Sequence, residues 1–161
     1  MENKELVYGE ISTIGMKQFA QLEPNCENFM DVGSGYGKFT WVMGSFFNAT
    51  NSYGIEIDAD KYWSSKKYFE ARYNPNIHFR LGDFRKYKQL ISRMDVVYSH
   101  NRMWLPETVK ELVDCLGTCN FYHDNFHYHK IYNIPYEVVK LHVNWARKPI
   151  NFYKINTNEE R

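Results

Sequence analysis

At 161 residues, with 43% apolar and 17% aromatic side chains, the chain has the size and composition of one globular domain with a sizeable core. No apolar run approaches ~20 residues, so no membrane-spanning helix is expected, and the charged opening MENKELVYGE lacks the apolar centre of a signal peptide. A net charge of +1 gives no global attraction to nucleic acid, and three cysteines (Cys26, Cys115, Cys119) are too few and odd in number for a disulfide framework, which fits a reducing interior, cytoplasmic or nuclear.

The strip Val7-Tyr8-Gly9-Glu10-Ile11-Ser12 leads into an apolar-periodic segment (Ile14, Phe19, Leu22), with Ser12 as N-cap and Pro24-Asn25 as the stop. Phe29 to Thr40 follows as a buried strand, a glycine turn (Gly33, Gly35, Gly37) and the opening of a helix that should run from Lys38 to Phe47. Glycines in such a turn accept φ > 0 and let the backbone approach a ligand, and free N–H groups at the helix start face it. Dinucleotide loops read G-x-G-x-x-G and seat a pyrophosphate. Here the spacing is G-S-G-Y-G, Lys38 replaces the last glycine, and Asp31 stands just ahead of the first. A carboxylate at that point repels a pyrophosphate and attracts a cationic amino group. The adenosine cofactor with such a group and no phosphates is S-adenosylmethionine; a dinucleotide and a purely structural turn are the other readings.

Asn48 to Ser52 should turn into a second strand, Tyr53 to Ile57, whose Glu56 lies about twenty residues past the loop, where an acid can accept both ribose hydroxyls. A helix from Asp60 to Tyr73 closes at Asn74-Pro75, and Ile77 to Leu81 forms a third strand with Gly82-Asp83-Phe84 at its carboxyl end, an Asp-Phe pair suited to an adenine amino group and ring. A short helix, Lys86 to Arg93, precedes the fourth strand, Met94 to Ser99, and His100-Asn101-Arg102-Met103-Trp104 lies past its carboxyl end, the ligand edge of an open α/β sheet. Pro106 suits the first turn of a helix over Glu107 to Cys115, and Thr118 to His123 makes the fifth strand. Tyr136 to Val143 and Ile150 to Ile155 read as an antiparallel pair around the 144–149 turn. The pattern is a single three-layer α/β domain with a seven-stranded sheet closed by a C-terminal hairpin.

Two further features carry alternatives. Between Lys61 and Arg93 nine Lys/Arg face two acids, Glu70 and Asp83, which is either a nucleic-acid surface or the solvated faces of two helices. Cys115, Cys119, His123 and His127 stand four apart with His129 nearby. Four-residue steps on a helix climb ~6 Å each and do not converge on one ion, so no metal site is expected.

Taken together the motifs resemble the disruptor-of-telomeric-silencing (Dot-one-like) lysine methyltransferases, the non-SET enzymes that modify the globular core of a histone. Tyr8-Gly9-Glu10-Ile11-Ser12 resembles the family's Tyr-Gly-Glu-Thr-Ser loop, and Asp31 to Gly37 its Asp-Leu-Gly-Ser-Gly-Val-Gly. Tyr53-Gly54-Ile55-Glu56 and Gly82-Asp83-Phe84 recur in kind. More specific are His100 to Glu107, similar to Asn-Asn-Phe-Ala-Phe-Gly-Pro-Glu, and Trp145 to Tyr153, similar to Trp-Thr-Gly-Lys-Pro-Val-Ser-Tyr-Tyr. The departures are Ile11 for Thr, His100 for the first Asn and Phe152 for the first of two tyrosines; the family's helical N-terminal subdomain and basic nucleosome-binding extension have no counterpart.

The resemblance implies a Rossmann-like methyltransferase fold in which residues 1–27 cap the cofactor. Tyr8, Glu10, Asp31, Gly33, Gly35, Lys38, Glu56, Ile57, Asp83, Phe84 and His100 would hold S-adenosylmethionine. Trp104, Phe152 and Tyr153 would form an aromatic channel that keeps the acceptor lysine neutral, with His100 and Asn101 beside the reacting atoms. The expected acceptor is a protein, histone or nucleosome; RNA or a small molecule is the alternative acceptor, and a cofactor-binding domain without transfer the non-enzymatic one. Abundant Asn, Lys, Tyr and Ile point to an A/T-rich genome such as that of a large DNA virus.

Overall fold

A computed structural model of the chain describes residues 10–47, 49–70 and 74–157. Seven strands form one sheet: β1 (Asn28–Val32), β2 (Asn51–Glu56), β3 (Ile77–Leu81), β4 (Val96–Ser99), β5 (Asn120–His123), β6 (Glu137–Leu141) and β7 (Ile150–Asn156), in the order β3-β2-β1-β4-β5-β7-β6. The first five run parallel, while β7 pairs antiparallel with both β5 and β6. Six helices connect them: α1 (Thr13–Leu22), α2 (Lys38–Ser45), α3 (Ala59–Glu70), α4 (Lys88–Ile91), α5 (Pro106–Cys115) and α6 (Phe126–Tyr132). The three-layer architecture and its antiparallel closure are those expected from the sequence.

Period-two alternation along the strands builds two cores. Phe29, Val96, Tyr98, Tyr122 and Phe152 face α1 and α2, while Met30, Val97, Phe121 and Ile155 face α5 and α6. On the first face Phe19 of α1 is the hub, meeting Phe29, Phe39, Tyr98 and Tyr122 edge-on at 4.8–5.8 Å. Each such pair adds ~0.5–1.5 kcal/mol beyond area burial, so the strands that carry the site rest on a stiff aromatic layer.

The N-terminal segment is tied down at both ends. Ser12 caps α1 by accepting from the Gly15 N–H. Glu23, just past the helix, accepts from Asn120 Nδ2 at 2.6 Å and from the Tyr122 hydroxyl at 2.9 Å. Ile11 bridges to Val143, and Gly15 packs so closely on His142 that an added Cβ would lie 2.1 Å from its carbonyl oxygen. Glu10 is thereby placed over the carboxyl ends of the central strands; Tyr8 lies outside the described residues.

Several boundaries move relative to the sequence reading, most by one or two residues. β2 begins at Asn51, inside the expected turn, because β1 and β3 on either side supply its hydrogen bonds. The helix expected over Lys86 to Arg93 is a 3₁₀ turn, Phe84–Tyr87, running into the single turn of α4, because Asp83 caps the segment two residues earlier. Helix α6 was not anticipated. Among the described residues no helix is long and apolar enough to cross a membrane, and the three cysteines are buried free thiols.

Candidate active site

The glycine turn links β1 to α2 with φ of +86°, +58° and +84° at Gly33, Gly35 and Gly37. The N–H groups of Gly33 and Ser34 both donate to the Ile55 carbonyl, which binds the loop to β2. Its glycines serve different ends. At Gly37 a Cβ would lie 2.6 Å from the Phe79 ring, so packing also demands glycine, whereas at Gly33 a Cβ would meet nothing within 4 Å and the exposed backbone faces a cleft.

Three carboxylates converge there. Asp31, at the carboxyl end of β1, is buried, and its Oδ1 has no hydrogen-bond partner among the described residues. Burial, with the neighbouring Glu56 and Glu10, pushes its pKa well above the usual carboxylate value. Glu10 is raised as well, by burial, although Lys38 Nζ at 4.0 Å from Oε1 opposes this. Asp31, Glu10, Lys38, Tyr98 and His100 share one cleft wall. A buried carboxylate with an oxygen left unbonded among like charges favours a cationic partner.

Glu56 ends β2 and is fixed by backbone: Oε1 accepts from the Gly35 N–H at 2.7 Å and Oε2 from the Asp58 N–H at 2.8 Å. Each oxygen keeps a second lone pair for a hydroxyl. Beyond it opens a mainly apolar cleft of about 140 Å³ walled by Ile57, Asp83, Phe84 and Trp104 over Val32 and Ile55. Phe84 and Trp104 lie nearly parallel, 9° apart with centroids at 5.9 Å. Asp83 is not idle. It accepts from the Arg85 N–H and pairs with Arg85 Nη1 at 2.8 Å, while Arg85 Nε bonds Glu111. A planar base would therefore meet a carboxylate already held in place.

At the carboxyl end of β4, His100 Nδ1 lies 2.6 Å from Oδ2 of Asp124, whose Oδ1 accepts the Asn101 N–H at 2.8 Å. The Trp145 ring tilts against His100 at 4.6 Å. Asn101 is buried, and neither side-chain amide atom has a partner among the described residues, while its backbone carbonyl, with that of Trp104, accepts from Asn125 Nδ2. A larger cleft of about 660 Å³ lies beyond, lined by Arg102, Asp124, Phe126 and Tyr153. Tyr153 packs at 4.3 Å on His129, which in turn stacks on His123. Burial holds both histidines neutral, His123 well below its ordinary pKa and His129 lowered to about 4, and it raises the Tyr153 phenol.

The three aromatic residues expected in one channel are thus divided. Trp104 stands in the Ile57–Phe84 cleft, Phe152 is fully buried and stacks on Tyr98 in the core, and Tyr153 alone reaches the Arg102 cleft. Strand alternation forces the split between Phe152 and Tyr153, which point to opposite faces of β7. Asp124 and Asn125 were missed by sequence reasoning. Their signal was an Asx pair leaving a strand: Asn125 caps α6 by accepting from the Tyr128 N–H. The cysteines and histidines spaced by four fall on separate elements, Cys115 in α5, His123 in β5, His127 and His129 in α6.

Such a sheet, with its glycine loop and acid-tipped second strand, is the fold of the S-adenosylmethionine-dependent methyltransferases. It is similar to an RNA methyltransferase from Salinibacter ruber in complex with S-adenosyl-L-homocysteine (22% identity, 91% of this chain and 90% of that one, TM-score 0.63). It is also similar to an O-methyltransferase from Bacillus cereus in complex with the same product (15%, 94% and 84%, 0.68) and to TrmK of M. capricolum in complex with S-adenosyl-homocysteine (14%, 92% and 70%, 0.65). No curated protein matches the chain. The sequence model described as histone methylation protein DOT1 matches residues 2–122. The chain belongs to that family.

Proposed function

We propose that this protein transfers a methyl group from S-adenosylmethionine to a lysine side chain of a protein, with a histone as the first candidate acceptor. The buried carboxylate of Asp31, whose Oδ1 has no partner among the described residues, carries the donor half of this reading: it fits the cationic amino group of the cofactor's methionine end. Glu56 would accept the ribose hydroxyls, and the Ile57–Phe84–Trp104 cleft, with Asp83, would take the adenine. When bound, the sulfonium supplies an activated methyl carbon, so the protein's task is alignment and exclusion of water. The Arg102 cleft, with Tyr153 and Phe126 on its walls, would receive the acceptor. Membership of a histone-methylating family supports the choice of acceptor.

A second reading, RNA as acceptor, has its own observation. Helix α3 carries Lys61, Lys66 and Lys67 with exposed Trp63 and Tyr68, and a groove lined by Tyr36, Trp41 and Tyr68 adjoins it. Basic side chains with exposed aromatic faces suit single-stranded nucleic acid. Incubating the protein with labelled donor and nucleosomes, free core histones or transfer RNA separates the two. Label in histone lysine is the expected result; label entering RNA alone overturns the lysine assignment.

A further inference from the structure

We propose that His100 and Asp124 form a proton-accepting pair, in which His100 Nε2 takes a proton from the acceptor amine and Asp124 positions the ring; this rests on the amine-methylation reading above. Where the family's motif has an asparagine, which cannot take up a proton at neutral pH, this chain has His100. A carboxylate only accepts hydrogen bonds, so the 2.6 Å contact requires Nδ1 of His100 to donate to Asp124 Oδ2. The neutral ring then carries its lone pair on Nε2. Asp124 is itself held rigid: its side chain is fully buried, and its other oxygen takes the Asn101 N–H at 2.8 Å.

The pair links two clefts, one member lining each. His100 borders the cleft of Asp31, and Asp124 borders the cleft of Arg102 and Tyr153. Methyl transfer from a donor in the first to an acceptor in the second would pass beside this pair. An unperturbed lysine, with a pKa of ~10.4, enters as an ammonium. Its proton passes to Nε2, the N–H bonding pair stays on the amine nitrogen as the nucleophile, and the resulting imidazolium faces the Asp124 carboxylate until it releases the proton to solvent. The other ionisable groups around the ring are Asp31 from β1, Glu10 from the N-terminal segment, Lys38 from α2 and Tyr98 from β4; Arg102, His127 and Tyr153 share the cleft of Asp124. Asp124 is the one among them bonded to the imidazole.

The test uses the full chain, S-adenosylmethionine and nucleosomes, with His100→Asn, Asp124→Asn and His100→Ala. With the ring gone, His100→Asn should lose about 10²-fold in kcat near neutral pH at saturating donor, the usual worth of a general base, and recover as the pH rises. Added imidazole should restore part of the rate of His100→Ala. Asp124→Asn, which removes the acceptor that fixes the ring's tautomer, should lower kcat and change the pH profile of the rate. Independently of turnover, proton NMR of the wild type should show a far-downfield imidazole N–H resonance that both His100→Asn and Asp124→Asn abolish. A wild-type rate and pH profile in His100→Asn, or a raised KM for the donor at unchanged kcat, overturns the proposal. If the wild type labels no histone, the lysine reading fails by itself; the downfield resonance still decides the pair, its presence supporting it and its absence overturning it.

Discussion

Replacing Asp31 by Asn should weaken the donor and strengthen the empty protein. In the wild type the carboxylate is buried beside Glu56 and Glu10, and its pKa lies well above the usual 3.8. An acid whose folded pKa is raised binds its proton more tightly folded than unfolded. Its ionisation therefore costs stability, a cost absent below the unfolded pKa, growing as pH climbs between the two values and complete above the folded one. Asparagine removes that cost, so the apo Tm at neutral pH should rise, by about 2–4 °C for each kcal/mol recovered in a chain of this length. Donor binding should move the other way. A hydrogen bond to a charged group contributes about 1.5–3 kcal/mol, which converts to a loss of roughly 10–150-fold in affinity. Calorimetric titration with S-adenosylmethionine across pH, paired with thermal melts of the apo protein, reads both. Wild-type affinity should fall on acidification as Asp31 takes up its proton, and the Asn variant should lose that dependence. A variant that binds the donor as tightly as wild type, or melts lower without it, refutes the reasoning.

Glu56→Gln sets an amide NH₂ against one of two backbone donors, Gly35 N–H or Asp58 N–H, so stability should fall by the ~1–3 kcal/mol of an unsatisfied buried group, read as a lower Tm, and donor affinity should drop with it, both measurable on the same samples. Phe152→Tyr restores the family's tyrosine but adds a hydroxyl to a fully buried ring stacked on Tyr98; a melt should show a loss of about 1–3 kcal/mol, and an unchanged Tm would mean a partner exists for it. Gly37→Ala and Gly33→Ala share the same backbone strain at φ near +85°, but only the former drives a Cβ into Phe79, so in chemical denaturation Gly37→Ala should be clearly the more destabilised.

Local chemistry made much of this protein legible in its sequence. The glycine run, the acid before it and the acid about twenty residues on are short-range features, found where the pattern puts them, in the β1–α2 turn and in β1 and β2, and the alternating strands and helices dictated three layers because each apolar face needs cover. Even the closing hairpin follows from β-rich segments on either side of a short turn.

Tertiary structure decided what no local pattern encodes. β2 starts earlier than its own residues indicate because two neighbouring strands offer it partners, and α6 is a helix of weak formers stabilised by its cap and by burial of Tyr128 and His129. Motif order grouped Trp104, Phe152 and Tyr153, yet strand alternation and the path after β4 send them to three environments. The His100–Asp124 contact joins residues 24 apart across parallel strands whose register aligns Ser99 with His123. That register is a property of the whole sheet, so only folding brings the imidazole to its carboxylate.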